Sequence, residues 1–112
     1  MTNAPAKQPD RREELLAEIR RLADVAIHGS VSETYRTCGN AGCRCHGVGP
    51  KHGPHLYVSY RGAEKKTTGY YVPAAAHDDI REGVTAWQEL QTALRELAEL
   101  NKHDALRRAK GD

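Results

Sequence analysis

The hydrophobic positions near the N-terminus recur at helical spacing. Asp10 and Glu13 precede them at the spacing of a capping box. The apolar stripe after them has intervals of four, three and four residues, which places its members on one face of a helix. Its members are Leu15, Ile19, Leu22 and Ala26. The pattern predicts a helix that begins at Asp10 and ends near His28 and Gly29.

The middle of the chain has the spacing and composition of strands. Residues 31–37, 55–61 and 65–73 are rich in β-branched and aromatic side chains. The connection between the last two begins with Gly62 and has the length of a hairpin turn. Alternation along 55–61 sends even-numbered and odd-numbered side chains to opposite faces. We therefore expect a small antiparallel sheet of about three strands.

A second apolar stripe, at intervals of three and four residues, predicts a helix from about residue 75 or 77 to about residue 106. Its spacing is close to that of a coiled-coil seam. Its members are Ile80, Val84, Trp87, Leu90, Leu94 and Leu97. Because this stripe is longer than the first, we expect part of it to bind a second copy of the chain or a protein partner. The residues predicted for that contact are Val84, Trp87, Leu90, Leu94 and Leu97.

These elements predict an α+β fold: an N-terminal helix, the sheet with a Cys/His loop at one end, and a long C-terminal helix. The long helix would pack as a helical hairpin or a coiled coil. Residues 1–9 contain two prolines and few apolar side chains, which is typical of a disordered tail. A single domain is predicted over residues 10–106, followed by a charged tail at 107–112.

The composition indicates a small domain with a modest core. The chain has 112 residues, of which 29% are charged and none is phenylalanine. A core of this size benefits from a staple such as a metal ion. No apolar run approaches the roughly 20 residues of a membrane span, and residues 1–12 lack the apolar centre of a secretory signal. The predicted location is the cytosol, where thiols stay reduced.

All three cysteines lie in the stretch TCGNAGCRCHGVGPKHGPH, residues 37–55. Cys38, Cys43 and Cys45 with one imidazole supply the four N and S ligands of a structural zinc ion. An odd number of cysteines in one loop fits poorly with disulfides. Two alternatives stay open: unligated cysteines in a turn, and a redox switch in which Arg44 and nearby lysines lower a thiol pKa.

Three histidines compete for the fourth position. His52 is preferred, because it returns toward the loop from the turn near Pro54. His46 is the alternative, but its neighbour Cys45 would require a sharper bend, and His55 ranks third. A shell of three thiolates and one imidazole leaves no open position for a substrate water, so we expect a structural metal and no enzyme activity.

Several features of this stretch and of the residues after it resemble a family of short bacterial proteins of unknown function. They are the string CGNAGCRCH, the HGP after it, a hairpin that ends in YYVP and a helix with W-x2-L-x3-L. The resemblance covers about residues 13–101 and implies no activity. The shared ligand set that it implies is Cys38, Cys43, Cys45 and His52. The family pattern often has an aromatic residue after HGP, where this chain has His55.

Basic and aromatic residues are concentrated around the predicted sheet. Residues 31–72 contain all five tyrosines and carry a net charge of +4. Such a surface can neutralise phosphates and stack on bases, so we expect an accessory protein that binds DNA or RNA. The residues predicted for this contact are Arg36, Arg44, Arg61, Lys65, Lys66 and Tyr57. Two alternatives remain: the tyrosines form the sheet core, or the chain is a protein–protein adaptor that acts through the long helix.

Overall fold

The fold is known from a computed structural model that describes residues 10–111. The predicted tail at 1–9 lies outside the described residues. The elements in chain order are α1 (Arg11–Ala23), β1 (Ser30–Arg36), β2 (His52–Arg61), β3 (Thr67–Val72) and α2 (His77–Ala109). The predicted α+β order of helix, three-stranded antiparallel sheet and long helix is confirmed.

The described chain divides into two compact units. The helical unit comprises residues 10–26 and 85–111, and the sheet unit comprises residues 27–84. The single domain that the sequence predicts over 10–106 stays a prediction. Helix α2 continues to Ala109, so the first part of the predicted charged tail at 107–112 is helical. Within residues 10–111, neither helix combines the length and the apolar character that a membrane span requires.

Helix α1 begins where the sequence predicts and ends earlier. The Asp10 side chain accepts a hydrogen bond of 2.8 Å from the backbone amide of Glu13, which caps the N-terminus. The helix stops at Ala23, so the prediction that it extends to His28 is wrong. The backbone amide of Ile27 donates instead to the carbonyl oxygen of Gly83, at 2.9 Å. A tertiary hydrogen bond thus replaces the one that would have continued the helix.

The core of the helical unit lies between α1 and the part of α2 after residue 84. Leu22 packs against Ala86 and Leu90, with Ile19, Ala26 and Trp87 partly buried around them. Ala93 is also buried, whereas Leu94 is 45% exposed. The buried face of α2 therefore includes two alanines that the stripe omitted and excludes Leu94.

The sheet is a meander in the order β1-β2-β3, with both pairs antiparallel. One face is a core in which Leu56, Val58 and Val72 are at most 1% exposed. Val31, Ala76 and Ile80 pack against them. Strand β2 begins at His52, three residues before the predicted start, and β3 ends at Val72, just before Pro73. The early start of β2 brings its first residues beside the end of β1.

The pairing of β1 and β2 contains an irregularity at the end that leads into the Cys/His loop. Thr34 pairs with His55, but Arg36 pairs with His52, so β2 holds one additional residue there. Gly53 lies in this segment with a φ of 147°. A Cβ atom on Gly53 would lie 2.8 Å from the Thr34 carbonyl oxygen. Only glycine fits this close approach, and it allows β1 to lie directly against the start of β2.

Candidate metal centre and open sheet face

The candidate ligands are positioned by the loop that connects β1 to β2. Cys38 lies just after the end of β1, and His52 is the first residue of β2. Between them, Cys43 precedes a single 3-10 turn at Arg44–His46 that contains Cys45. A tight turn brings the loop back, with the backbone amide of Cys43 donating to the Asn40 carbonyl oxygen at 3.0 Å. The paired strand ends thus place the two outer ligands on either side of the loop.

The structure brings together the ligand set that the sequence favoured. One ligand atom from each of Cys38, Cys43, Cys45 and His52 lies within 4.8 Å of all the others. The sulfurs of Cys38 and Cys45 are 3.6 Å apart, and the Cys43 sulfur is 3.3 Å from Nε2 of His52. All three cysteines are free thiols. Two sulfurs at 3.6 Å are not bonded, and the four groups could hold a metal ion.

The two other histidines of the loop region point elsewhere. The Nε2 atom of His46 lies 2.7 Å from the carbonyl oxygen of Cys38, in hydrogen-bonding contact with the backbone. His55 lies on β2, where its ring centroid is 6.3 Å from that of Tyr71. His46 therefore lies outside the four-residue cluster and braces the backbone of one of its members.

Two of the thiols differ strongly in their electrostatic surroundings. The backbone amide of Cys45 and the imidazole of His52 stabilise the Cys43 thiolate and lower its pKa to about 6. Burial raises the pKa of the Cys45 thiol, whose residue is only 1% exposed. The backbone amide of Cys38 donates to the Cys45 sulfur at 3.2 Å, which favours negative charge there. Metals bind the thiolate form, so the hydrogen bonds to the Cys43 and Cys45 sulfurs favour a bound cation, whereas the burial of Cys45 opposes ionisation of its thiol.

The second face of the sheet, opposite its core, forms a shallow cavity of about 320 Å³. We call this surface the open face. Side chains from all three strands reach it, because residues that pair directly across antiparallel strands have their side chains on the same face of the sheet. Ser32 pairs with Tyr57, and Tyr57 pairs with Tyr71. The cavity is lined by Ser32, Thr34, Arg36, His55, Leu56, Tyr57 and Tyr71.

The predicted phosphate-binding residues fall into two groups at opposite ends of the sheet. Arg36 ends β1 beside the cavity, and Arg44 lies in the Cys/His loop. Arg61 ends β2, and Lys65 and Lys66 lie in the turn after it. The ten residues of β2 cover about 30 Å, so the five basic side chains do not form one patch. They flank the tyrosines instead.

The only acidic residue within the three described strands is Glu33, and it is directed away from the open face. It pairs with Leu56, whose side chain is buried in the sheet core. Its carboxylate forms an ion pair with Arg81 of α2. The open face consequently carries no carboxylate from the strands. A carboxylate there would repel an anionic ligand.

Sequence reasoning predicted Tyr57 as a contact residue and missed its neighbours on the open face. Tyr71, Thr34 and Ser32 lie on other strands, 14, 23 and 25 residues away from Tyr57 in the sequence. Alternation alone gives the face of each side chain within its own strand. The register between strands decides which side chains meet, and the chain pattern did not fix it.

A family model described as a domain of unknown function (DUF6788) matches residues 6–82. The match takes in α1, the three strands, the Cys/His loop and the first turn and a half of α2. The predicted resemblance to a family of unknown function is confirmed, over a range that ends well before the predicted residue 101. No curated protein and no solved structure is significantly similar to the chain.

Proposed function

The chain belongs to DUF6788, a family of domains of unknown function, and we propose that it is a nucleic-acid-binding accessory protein stabilised by a structural zinc ion. One observation carries the proposal: the open face holds exposed tyrosines between two groups of basic residues and has no strand carboxylate. Tyr57 is 47% exposed and Tyr71 is 57% exposed. The alternative for the tyrosines was that they form the sheet core. The exposure of Tyr57 and Tyr71 does not favour it for these two residues.

Zinc is the metal that best fits the four candidate ligands. Thiolates and imidazole favour zinc over magnesium or calcium. A tetrahedral zinc ion separates two thiolate sulfurs by about 3.8 Å and a sulfur from an imidazole nitrogen by about 3.5 Å. The corresponding distances here are 3.6 Å and 3.3 Å. Four protein ligands complete the shell, so the metal would hold the loop against the strands and bind no substrate.

The basic residues would bind phosphates at both ends of the open face. Arg36 and Arg44 would act at the metal end, and Arg61, Lys65 and Lys66 at the hairpin end. Each phosphate contact releases counterions, so binding should weaken steeply as salt increases. The separation of about 30 Å along β2 suits a nucleic acid that runs along the strand direction.

The test is an electrophoretic mobility shift with single-stranded and double-stranded DNA and RNA at two salt concentrations. Reversal of the hairpin group (Arg61→Glu, Lys65→Glu and Lys66→Glu together) should weaken binding at least about tenfold. The matched control reverses Arg107, Arg108 and Lys110, which lie at the end of the chain in the helical unit. Absence of any shift, or equal losses in both variants, would contradict the proposal.

A protein-interaction role is the second candidate, and exposed leucines of the helical unit favour it. Leu94 is 45% exposed and Leu16 is 49% exposed. Val84 and Leu90 of the predicted contact stripe are buried within the chain itself, so they would not reach a partner. A homodimer or a bound protein partner that is lost in Leu94→Asp and kept in the hairpin-reversal variant would support this role.

A further inference from the structure

We propose that the open face selects single-stranded nucleic acid, with bases stacked on Tyr57 and Tyr71 and a phosphate bound by Arg36. This inference rests on the proposed nucleic-acid function and names the form of ligand that the face accepts. Selection between the two forms depends on which atoms of a nucleic acid are accessible. A duplex presents phosphates and groove edges, whereas only an unpaired strand can offer the flat faces of its bases.

The ring of Tyr57 lies close against Gly69 on the neighbouring strand. A Cβ atom on Gly69 would lie 2.6 Å from Cε1 and 3.1 Å from Cζ of Tyr57. The ring therefore occupies the space that any other side chain at position 69 would fill. The Tyr57 side chain nevertheless remains half exposed. A ring that is already positioned loses little conformational freedom when a base stacks on it.

Two further aromatic side chains, those of Tyr71 and His55, lie beside Tyr57 on the same face. Tyr71 is cross-strand to Tyr57, and its ring centroid is 6.3 Å from that of His55. Adjacent strands are about 4.8 Å apart, so the rings of Tyr57 and Tyr71 lie side by side and can both contact bases of one nucleic-acid strand. Sheets that bind unpaired RNA use exposed aromatic side chains in this manner.

Polar groups at the edge of the cavity would complete the contact with an unpaired nucleotide. Ser32 and Thr34 bring hydroxyl groups to the lining, and Arg36 brings a guanidinium. The Ser32 hydroxyl donates to the Tyr57 carbonyl oxygen at 3.3 Å and can still accept from a base edge, and the Thr34 hydroxyl can donate or accept. The Arg36 guanidinium can bind a phosphate through two parallel hydrogen bonds. The cavity of about 320 Å³ is partly open to solvent and is lined by residues of all three strands, which suits a chain of nucleotides.

Fluorescence anisotropy can test this selection. The probes are a labelled DNA and a labelled RNA of about 12 nucleotides, each used alone and annealed to its complement. Tyr57→Leu and Tyr71→Leu should each weaken single-strand binding about tenfold, and Tyr57→Phe should bind like the unchanged protein, because it keeps the ring. The matched control is Tyr35→Leu: Tyr35 is 58% exposed, and alternation along β1 directs it away from the open face.

The outcomes separate this inference from the function on which it rests. Tighter binding of the single strand, with losses confined to the open-face leucine variants, would support it. Duplex binding of equal or greater strength would overturn the inference and leave the proposed function standing. The same conclusion would follow if the tyrosine variants bound normally while the hairpin-reversal variant did not bind. Failure of both forms to bind would overturn the inference and the function together. Tyr57→Phe and Tyr71→Leu keep the test decisive if Tyr57→Leu does not fold, and thermal unfolding of each variant checks this.

Discussion

At the scale of single residues, the fourth candidate ligand shows which part of a metal site sequence spacing can predict and which part it cannot. Three cysteines in one loop predicted a metal site directly, and the order of the histidines favoured His52 over His46. The 3.3 Å contact between His52 and Cys43 depends on more than that order. It requires His52 to pair with Arg36 across an irregular strand end, and no local pattern indicates this irregularity.

Substitution of one ligand should release the metal, and substitution of His46 should not. We expect about one zinc ion per chain in the unchanged protein and a loss of most of it in Cys43→Ser, because serine does not replace a thiolate. In His46→Ala the cluster of four is intact, so the zinc content should stay near one. Elemental analysis of the purified proteins measures both. Retention of zinc in Cys43→Ser, or its loss in His46→Ala alone, would contradict the assigned ligand set.

At the scale of elements, the periodic patterns predicted the kind and order of helices and strands, and tertiary contacts set the remaining details. Both faces of β2 were predictable from alternation. The end of α1 was not, because the backbone amide of Ile27 bonds to Gly83 and not within the helix. The buried face of α2 also differed from the leucine-based stripe, since Ala86 and Ala93 are buried and Leu94 lies at the surface.

Two leucines one helical turn apart on α2 should differ in their contribution to stability. Leu90 is 7% exposed and packs in the core of the helical unit, whereas Leu94 is 45% exposed. Leu90→Ala should lower the free energy of unfolding by about 2–4 kcal/mol, and Leu94→Ala by less than about 1 kcal/mol. Chemical denaturation at low protein concentration measures the difference. A large loss in Leu94→Ala that depends on protein concentration would instead favour the second candidate function, with Leu94 in an interface between copies.

At the scale of the whole molecule, the aromatic residues are divided between the two units. All five tyrosines lie within residues 27–84, and the only tryptophan, Trp87, lies in the helical unit. The candidate metal ligands belong to the sheet unit. Near-ultraviolet signals from tyrosine and tryptophan therefore report on different units. The effect of a bound metal on the sheet unit can thus be measured separately from its effect on the helical unit.

Removal of zinc with a chelator should destabilise the sheet unit more than the helical unit. A ligand that binds only the folded state stabilises it, so loss of the metal should lower the tyrosine-monitored Tm by roughly 10 °C or more. The tryptophan-monitored transition should move less. The control is Cys43→Ser, which should melt like the chelated protein whether or not zinc is added. An unchanged tyrosine-monitored Tm would contradict the structural role of the metal, and equal shifts of both signals would indicate that the two units unfold together.

The division into units also has a consequence for the order in which the protein is made. The sheet unit is continuous in sequence, so all of its residues leave the ribosome before Thr85 does. The helical unit joins residues 10–26 to residues 85–111, and the ion pair between Arg11 and Glu96 spans 85 positions. Leu22 of α1 cannot bury itself against Ala86 and Leu90 until those residues have been synthesised. During synthesis the apolar side of α1 consequently stays without its partner helix while the whole sheet unit is being made.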